Sequence, residues 1–103
     1  MEIVERLRDA LDGKKGIKET KMFGGICFML NGNICVGVWH DWMIARVGVE
    51  AAERGLETKE CEPMDITGKP MKGWLKVDVK GNDRALQEWT DAAVEFVSTL
   101  PKK

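Results

Sequence analysis

Apolar residues recur at helical spacing near both ends of the chain. They follow each other at three- and four-residue steps over residues 2–12 and again over residues 83–100, which predicts one amphipathic helix in each segment. Asn82 or Asp83 can cap the second of these helices, and Pro101 ends it. A shorter helix is expected over residues 49–57.

Between these helices, short apolar runs separated by turn residues predict β-strands over residues 17–23, 43–47 and 74–79. Residues 58–72 contain two prolines and a glycine, and we expect this stretch to be irregular. Because tight turns join most of the strands, the sheet should be mostly antiparallel. The fold expected for residues 1–103 is a single α+β domain, a two-layer sandwich with the helices packed on one face of the sheet.

The segment KMFGGICFMLNGNICVGV, residues 21–38, predicts a β-hairpin that turns at Asn31-Gly32. If Leu30 pairs with Asn33, opposed side chains fall on two faces. One face carries Met29, Ile34, Cys27, Val36, Gly25 and Val38, and the other carries Leu30, Asn33, Phe28, Cys35, Ile26 and Gly37. Both faces are then apolar, although helices on one side of the sheet can cover only one of them.

Two arrangements could cover the remaining face of the hairpin. An exposed apolar patch favours association, so a symmetric homodimer that packs sheet face to sheet face, or edge to edge, is our first expectation. The irregular stretch of residues 58–72 could instead supply the cover within one copy. The residues expected to form the interaction surface are Ile26, Phe28, Leu30, Cys35, Trp39 and Trp42; the two tryptophans flank a turn, and tryptophan is enriched among interface anchors.

Composition and charge restrict the class of protein. The chain has 103 residues, of which 44% are hydrophobic and 32% charged, as in a globular domain. A net charge of −1 argues against a domain that grips nucleic acid directly. No run of about 18 apolar residues occurs, so no membrane span is expected, and the charged N-terminus is unlike a signal peptide. We therefore expect a cytoplasmic protein.

The residues that commonly carry catalysis or bind metals are few. Three cysteines without CxxC spacing predict neither a disulfide framework nor a zinc site, and the register above places Cys27 and Cys35 on opposite faces. The one histidine, His40, lies in a turn, and the cysteine nearest to it in sequence, Cys35, lies in a strand expected to be buried. No phosphate-loop, hydrolase or metalloprotease motif is present. We expect no catalytic residue, metal or cofactor, and no enzyme activity.

Two other functions remain open at this point. Direct nucleic-acid binding would use Lys69, Lys72 and Lys76 together with the lysines of residues 14–21. A small-ligand site or an enzyme would use the loop of residues 63–74, and it would need a concave pocket beside Asp65 and His40.

Three stretches together resemble the TfoX N-terminal domain family: KMFGGICFMLNGNICVGV, MIARVG and EPMDITGKPMKGWLKV. The residues that match its MFGG motif are Met22, Phe23, Gly24 and Gly25. Those that match its second signature are Pro63, Met64, Asp65, Thr67, Gly68, Pro70, Met71, Lys72, Gly73 and Trp74. The resemblance covers nearly the whole chain and includes no catalytic motif.

The resemblance implies a small antiparallel α+β domain. In the full-length competence regulators of the family, this domain is joined to a C-terminal helical domain, and the whole protein acts as a transcriptional co-regulator of DNA-uptake genes. The present sequence ends at Lys103, and we expect it to act as a stand-alone domain. The function expected is thus a non-catalytic regulatory module that binds a protein partner, possible partners including the transcription machinery.

Overall fold

The computed structural model describes residues 3–22, 25–64, 68 and 72–102, except for the side chain of Met22. Several residues of the two family motifs lie outside this part of the chain: Phe23, Gly24, Asp65, Thr67, Pro70 and Met71. The elements, in chain order, are α1 (Ile3–Ala10), β1 (Ile17–Met22), β2 (Gly25–Leu30), β3 (Asn33–Trp39), β4 (Trp42–Arg46), α2 (Val49–Gly55), β5 (Cys61–Pro63), β6 (Trp74–Val77) and α3 (Asp83–Val97). Within the described residues, no helix is long and apolar enough to cross a membrane.

The six strands form one sheet in the order β1-β2-β3-β4-β6-β5, with every neighbouring pair antiparallel. This confirms the predicted α+β class. One strand was not predicted, because β5 lies within the stretch expected to be irregular. It has only three residues and includes a proline, so it shows no alternation that a sequence pattern could reveal. Its place at the edge of the sheet tolerates Pro63, because an edge strand leaves one row of backbone groups unpaired.

The β2–β3 turn has the geometry that its sequence predicts. Asn31 and Gly32 have φ angles of 54° and 85°, and two positive values in succession are typical of the type I′ turn that suits the twist of a hairpin. Leu30 pairs with Asn33, as expected. The side chain of Asn33 is buried and its Nδ2 donates a hydrogen bond to the Pro101 carbonyl at 2.9 Å, so the hairpin is tied to the chain beyond α3.

The pairing predicted further along this hairpin is wrong. A β-bulge shifts the register between Phe28 and Met29, so that Phe28 lies opposite Val36 and Cys27 lies opposite Gly37. Cys35 is the extra residue, which breaks the expected pairs Cys27/Val36 and Phe28/Cys35. The sequence could not reveal this shift, because every residue near the bulge is apolar or small and either register matches apolar with apolar.

The core lies between the helices and one face of the sheet. Alternate residues of neighbouring strands share that face, and their side chains are buried there against the three helices. The sheet contributes Phe28, Leu30, Val36, Met43, Ala45, Leu75 and Val77, and the helices contribute Leu7, Ala52, Ala85, Leu86, Trp89, Ala93 and Val97. The helices therefore lie on one face of the sheet, as predicted. Asn82 caps α3: its side chain accepts a hydrogen bond from the backbone N–H of Ala85 at 3.0 Å.

The last residue of α2, Gly55, lies where the helix comes closest to the sheet and to α3. A Cβ atom at this position would collide with the Leu75 side chain and would lie 2.9 Å from Cη2 of Trp89. The absence of a side chain therefore allows α2 to approach β6 closely, although glycine is a poor helix former.

We predict that Gly55→Ala lowers the free energy of unfolding by about 1–3 kcal/mol, the usual cost of overpacking a close contact. In a helix with free space, the same change would raise stability by up to about 1 kcal/mol. Urea denaturation measures the difference. Arg54→Ala, an exposed neighbour on the same helix, is the control and should change stability by less than about 0.5 kcal/mol. A more stable Gly55→Ala variant would contradict the close approach.

Candidate interaction surface

The face of the sheet opposite the helices is rich in tryptophan. Side chains alternate along each strand, so the residues between the core positions of β4 and β6 point to this second face. Trp39 pairs with Trp42, Ile44 with Lys76, and Arg46 with Trp74. We call this surface the tryptophan face and define it by Trp39, Trp42, Ile44, Arg46, Trp74 and Lys76.

Cations lie over the indole rings of this face. The Nζ atom of Lys76 is 4.7 Å from the ring centroid of Trp42 and 5.5 Å from that of Trp39. The guanidinium carbon of Arg46 lies 5.6 Å from the ring centroid of Trp74. These separations are within the range of cation–π attraction. The lysine therefore links the end of the β3–β4 hairpin to β6 across the face.

An acidic side chain from the edge strand reaches the same lysine. Glu62 of β5 lies opposite Lys76, and its Oε1 is 3.9 Å from the lysine Nζ. The Lys76 side chain is only 13% exposed, whereas that of Glu62 is 55% exposed. The charge of Lys76 is thus held between aromatic rings and a carboxylate rather than left in water.

The centre of this face is already covered within one copy of the chain. Ile44 and Cys27 are each 1% exposed. Gly37 lies between them, opposite both residues, and a Cβ atom at Gly37 would lie 2.8 Å from the Cys27 sulfur. The three tryptophans around this centre are half-buried. Among the described residues, the accessible apolar surface of this face is therefore limited to half-buried side chains, namely Met29 and Ile34 beside the β2–β3 turn and the three indole rings.

Of the six residues expected to form the interaction surface, four pack toward the core and two lie on the tryptophan face. Phe28, Leu30 and Cys35 belong to the core under the helices and are at most 5% exposed. This corrects their assignment to a surface, because a folded domain cannot present them to a partner. Ile26 is half-buried and also packs against that core. Trp39 and Trp42 lie on the tryptophan face.

Besides the buried Ile44, three residues of the tryptophan face were not predicted to belong to the interaction surface: Arg46, Trp74 and Lys76. The signal for two of them was present in the sequence WLKV of β6, in which Trp74 and Lys76 alternate with the buried Leu75 and Val77. If the segment is a β-strand, this alternation places the tryptophan and the lysine together on the face away from the core.

The lysines considered for nucleic-acid binding do not share one surface. Lys76 is engaged by Glu62 and the indole rings. On β1, Lys18 and Lys21 are three residues apart and so point to opposite faces of the sheet. Lys69 lies outside the described residues. Lys18 and Lys21 therefore cannot belong to one continuous basic stripe on a single face of the sheet.

A cavity of about 410 Å³ lies beside His40, on the side of the turn near α1. Its cations are Arg6 and Lys80. Arg6 donates hydrogen bonds to Asp83 at 2.8 Å and to the Val79 carbonyl at 2.7 Å, and Lys80 lies 3.5 Å from Asp41. Asp65, the other residue expected beside such a pocket, lies outside the described residues. In the part of the chain that is described, no three acidic, histidine or cysteine side chains group as a metal site.

The three cysteines are buried free thiols. Burial raises the pKa of Cys35 to about 12, and it also raises the pKa values of Cys27 and Cys61. Since the thiolate is the nucleophilic form, these thiols are poor nucleophiles near neutral pH. Each packs as a small apolar side chain, and Cys35 lies in a buried strand, as expected from the sequence.

We predict that the thiols of the folded domain react slowly with Ellman's reagent at pH 8. A pKa of about 12 leaves about one Cys35 side chain in ten thousand as thiolate at that pH. The control is the same protein in concentrated guanidinium chloride, where all three thiols should react as fast as a free cysteine. A thiol that reacts equally fast in the folded domain would contradict its burial.

The comparison with known proteins gives one match. The family description "TfoX N-terminal domain" matches residues 9–97 of the 103-residue chain. No curated protein and no solved structure matches significantly. The matched region runs from the end of α1 to the end of α3 and contains the whole sheet. The chain therefore belongs to the TfoX N-terminal domain family.

Proposed function

We propose that this domain is a non-catalytic regulatory module of the cytoplasm that forms a homodimer through its tryptophan face and acts by binding a protein partner in transcription. Membership of the TfoX N-terminal domain family supports a regulatory, competence-related domain in general. The homodimer and the protein partner go beyond what family membership supports.

The observation that carries the proposal is the pair of half-buried indoles at the rim of a sheet face whose centre is covered. Trp39 and Trp42 keep part of their ring surface accessible although Ile44 beside them is fully covered. Aromatic residues in such positions are the usual anchors of protein interfaces, because their burial gains much free energy for little lost conformational freedom. A stable interface covers about 800 Å² on each partner, so a dimer would extend from these rings over neighbouring parts of the face.

The charges of the face favour a protein over a nucleic acid as the partner. The cations of Lys76 and Arg46 lie over indole rings, and Glu62 lies beside the lysine. A second copy brings both signs of charge to the same surface, so complementary contacts can form across a two-fold axis. A phosphate backbone would meet cations that already have partners, together with an acidic side chain.

The chemistry of the thiols supports a non-catalytic role. Cysteine catalysis needs a thiolate close to a base. The raised pKa values of all three cysteines oppose that form. None of the cysteines lines the cavity beside His40.

Size-exclusion chromatography with light scattering tests the dimer. We expect the unchanged chain to elute as a dimer, and Trp42→Ala to weaken dimerisation by at least about tenfold, as loss of an anchor residue does. Leu56→Ser is the control: it removes an exposed hydrophobic side chain from α2 and should leave the dimer intact. Circular dichroism verifies that both variants fold.

Either of two results would contradict the proposed interface. One is a strictly monomeric unchanged chain at high protein concentration. The other is a dimer that Leu56→Ser disrupts as strongly as Trp42→Ala, since that would place the contact on a different surface.

A further inference from the structure

Helix α2 presents apolar side chains to solvent. Val49 is 51% exposed and Leu56, which follows the helix as its C-cap, is 44% exposed. These are the large hydrophobic residues that are exposed in the described part of the chain. They are seven residues apart, with Ala52 and Glu53 between them, so all four lie on one side of the helix.

This side of α2 forms one wall of a groove of about 210 Å³. The opposite wall consists of Pro63 from β5 and of Gly73 and Trp74 at the start of β6. The groove is thus lined mainly by apolar groups, with the charged Glu53 and Lys72 at its borders. We call it the α2 groove.

The groove continues around Val49 into a second cavity. This cavity, of about 430 Å³, lies between the start of α2 and the C-terminal half of α3, where Ala92 and Phe96 supply apolar surface. Val49 lines both spaces and so forms the ridge between them. An elongated apolar ligand could contact the two spaces in succession.

Acidic side chains border this apolar surface. Glu50 and Glu95 line the larger cavity with Arg54, and Glu53 lines the groove with Lys72. Glu57 is exposed one turn further along, so acidic groups outnumber basic ones around the apolar surface. Over residues 50–66 the sequence has six acidic residues against Arg54 and Lys59.

We propose that the α2 groove is a second binding site, which adjoins the dimer surface at Trp74, and that it takes a basic amphipathic helix of a protein partner. Apolar residues one turn apart on such a helix would enter the spaces on either side of Val49. Its lysines and arginines would face Glu50, Glu53 and Glu95, which steer the encounter and fix the orientation. The same acidic border disfavours nucleic acid as the occupant.

The probe for this site is a fluorescent peptide of about 18 leucines and lysines, with the leucines at helical spacing. We expect fluorescence polarisation to show that the peptide binds the unchanged chain. The affinity should fall as salt is added, because salt screens the attraction between the lysines and the acidic side chains. Two control peptides carry glutamate in place of lysine, or the same residues in scrambled order. Both should bind at least about tenfold more weakly if charge and amphipathic pattern are recognised together.

Variants locate the site. Leu56→Ser should weaken peptide binding about tenfold, as removal of an apolar contact at a binding hot spot does, and Glu53→Gln should weaken it a few-fold. Glu5→Gln removes an exposed carboxylate from α1, away from the groove, and should leave the affinity unchanged. Amide NMR spectra of the unchanged chain should show shifts concentrated at Val49, Ala52, Glu53 and Leu56. Trp42→Ala, which tests the dimer, should not alter peptide affinity.

Three results would overturn the second site. The first is absence of binding by the leucine–lysine peptide. The second is equal binding by the glutamate or scrambled peptide. The third is binding that Leu56→Ser and Glu53→Gln leave unchanged, with amide shifts elsewhere on the domain. None of these results bears on whether the chain dimerises, so the two proposals fail separately.

Discussion

The helices of this domain cover one face of its sheet, and the opposite face must be stabilised without them. On the helix side, alternate strand residues join a single apolar core. On the other side the same alternation brings together three tryptophans, a lysine and an arginine, with an acidic residue from the edge strand beside the lysine. Indole rings suit this position, because they can bury a large apolar area while their faces attract cations. The packing of Lys76 on Trp39 and Trp42 is therefore the interaction on which the second face depends.

This arrangement also shapes what the domain can do. A face closed at its centre and lined at its rim by half-buried indoles is stable in water, yet it retains surface that a partner can bury. The exposed apolar side of α2 is a second surface, which meets the tryptophan face at Trp74 and has a mostly acidic border. A small domain with two unlike surfaces can join two kinds of contact in one assembly, as the two proposals require.

Sequence reasoning predicted the parts of the fold that local signals determine. Asn31-Gly32 specified a tight turn, Asn82 was one of two candidate caps, and helical spacing located α1 and α3. It failed where contacts between distant parts of the chain determine the pairing of strands, or where an element is very short. The bulge at Cys35 depends on how a whole hairpin packs, and β5 is too short to show a period.

The candidate surface was predicted only in part, for a related reason. Trp39 and Trp42 were identified because they flank a turn, whereas Phe28, Leu30 and Cys35 were misassigned because an apolar residue in a strand gives no sign of which face it occupies. Two apolar faces look alike until the helices are placed on one of them. Trp74 and Lys76 come next to Trp39 and Trp42 only through the pairing of β4 with β6, two strands that are distant in the sequence.

A double-mutant cycle on Lys76 and Trp42 tests the central claim most directly. The free energy of unfolding is measured for the unchanged chain, for Lys76→Met, for Trp42→Leu and for the double variant, since a cycle isolates the term that belongs to the pair. A cycle on the exposed ion pair of Lys80 and Asp41 serves as the reference. The account predicts a favourable coupling of about 0.5–1 kcal/mol between Lys76 and Trp42, larger than that of the reference pair. A coupling indistinguishable from zero would show that the lysine does not hold the second face together and would contradict the account.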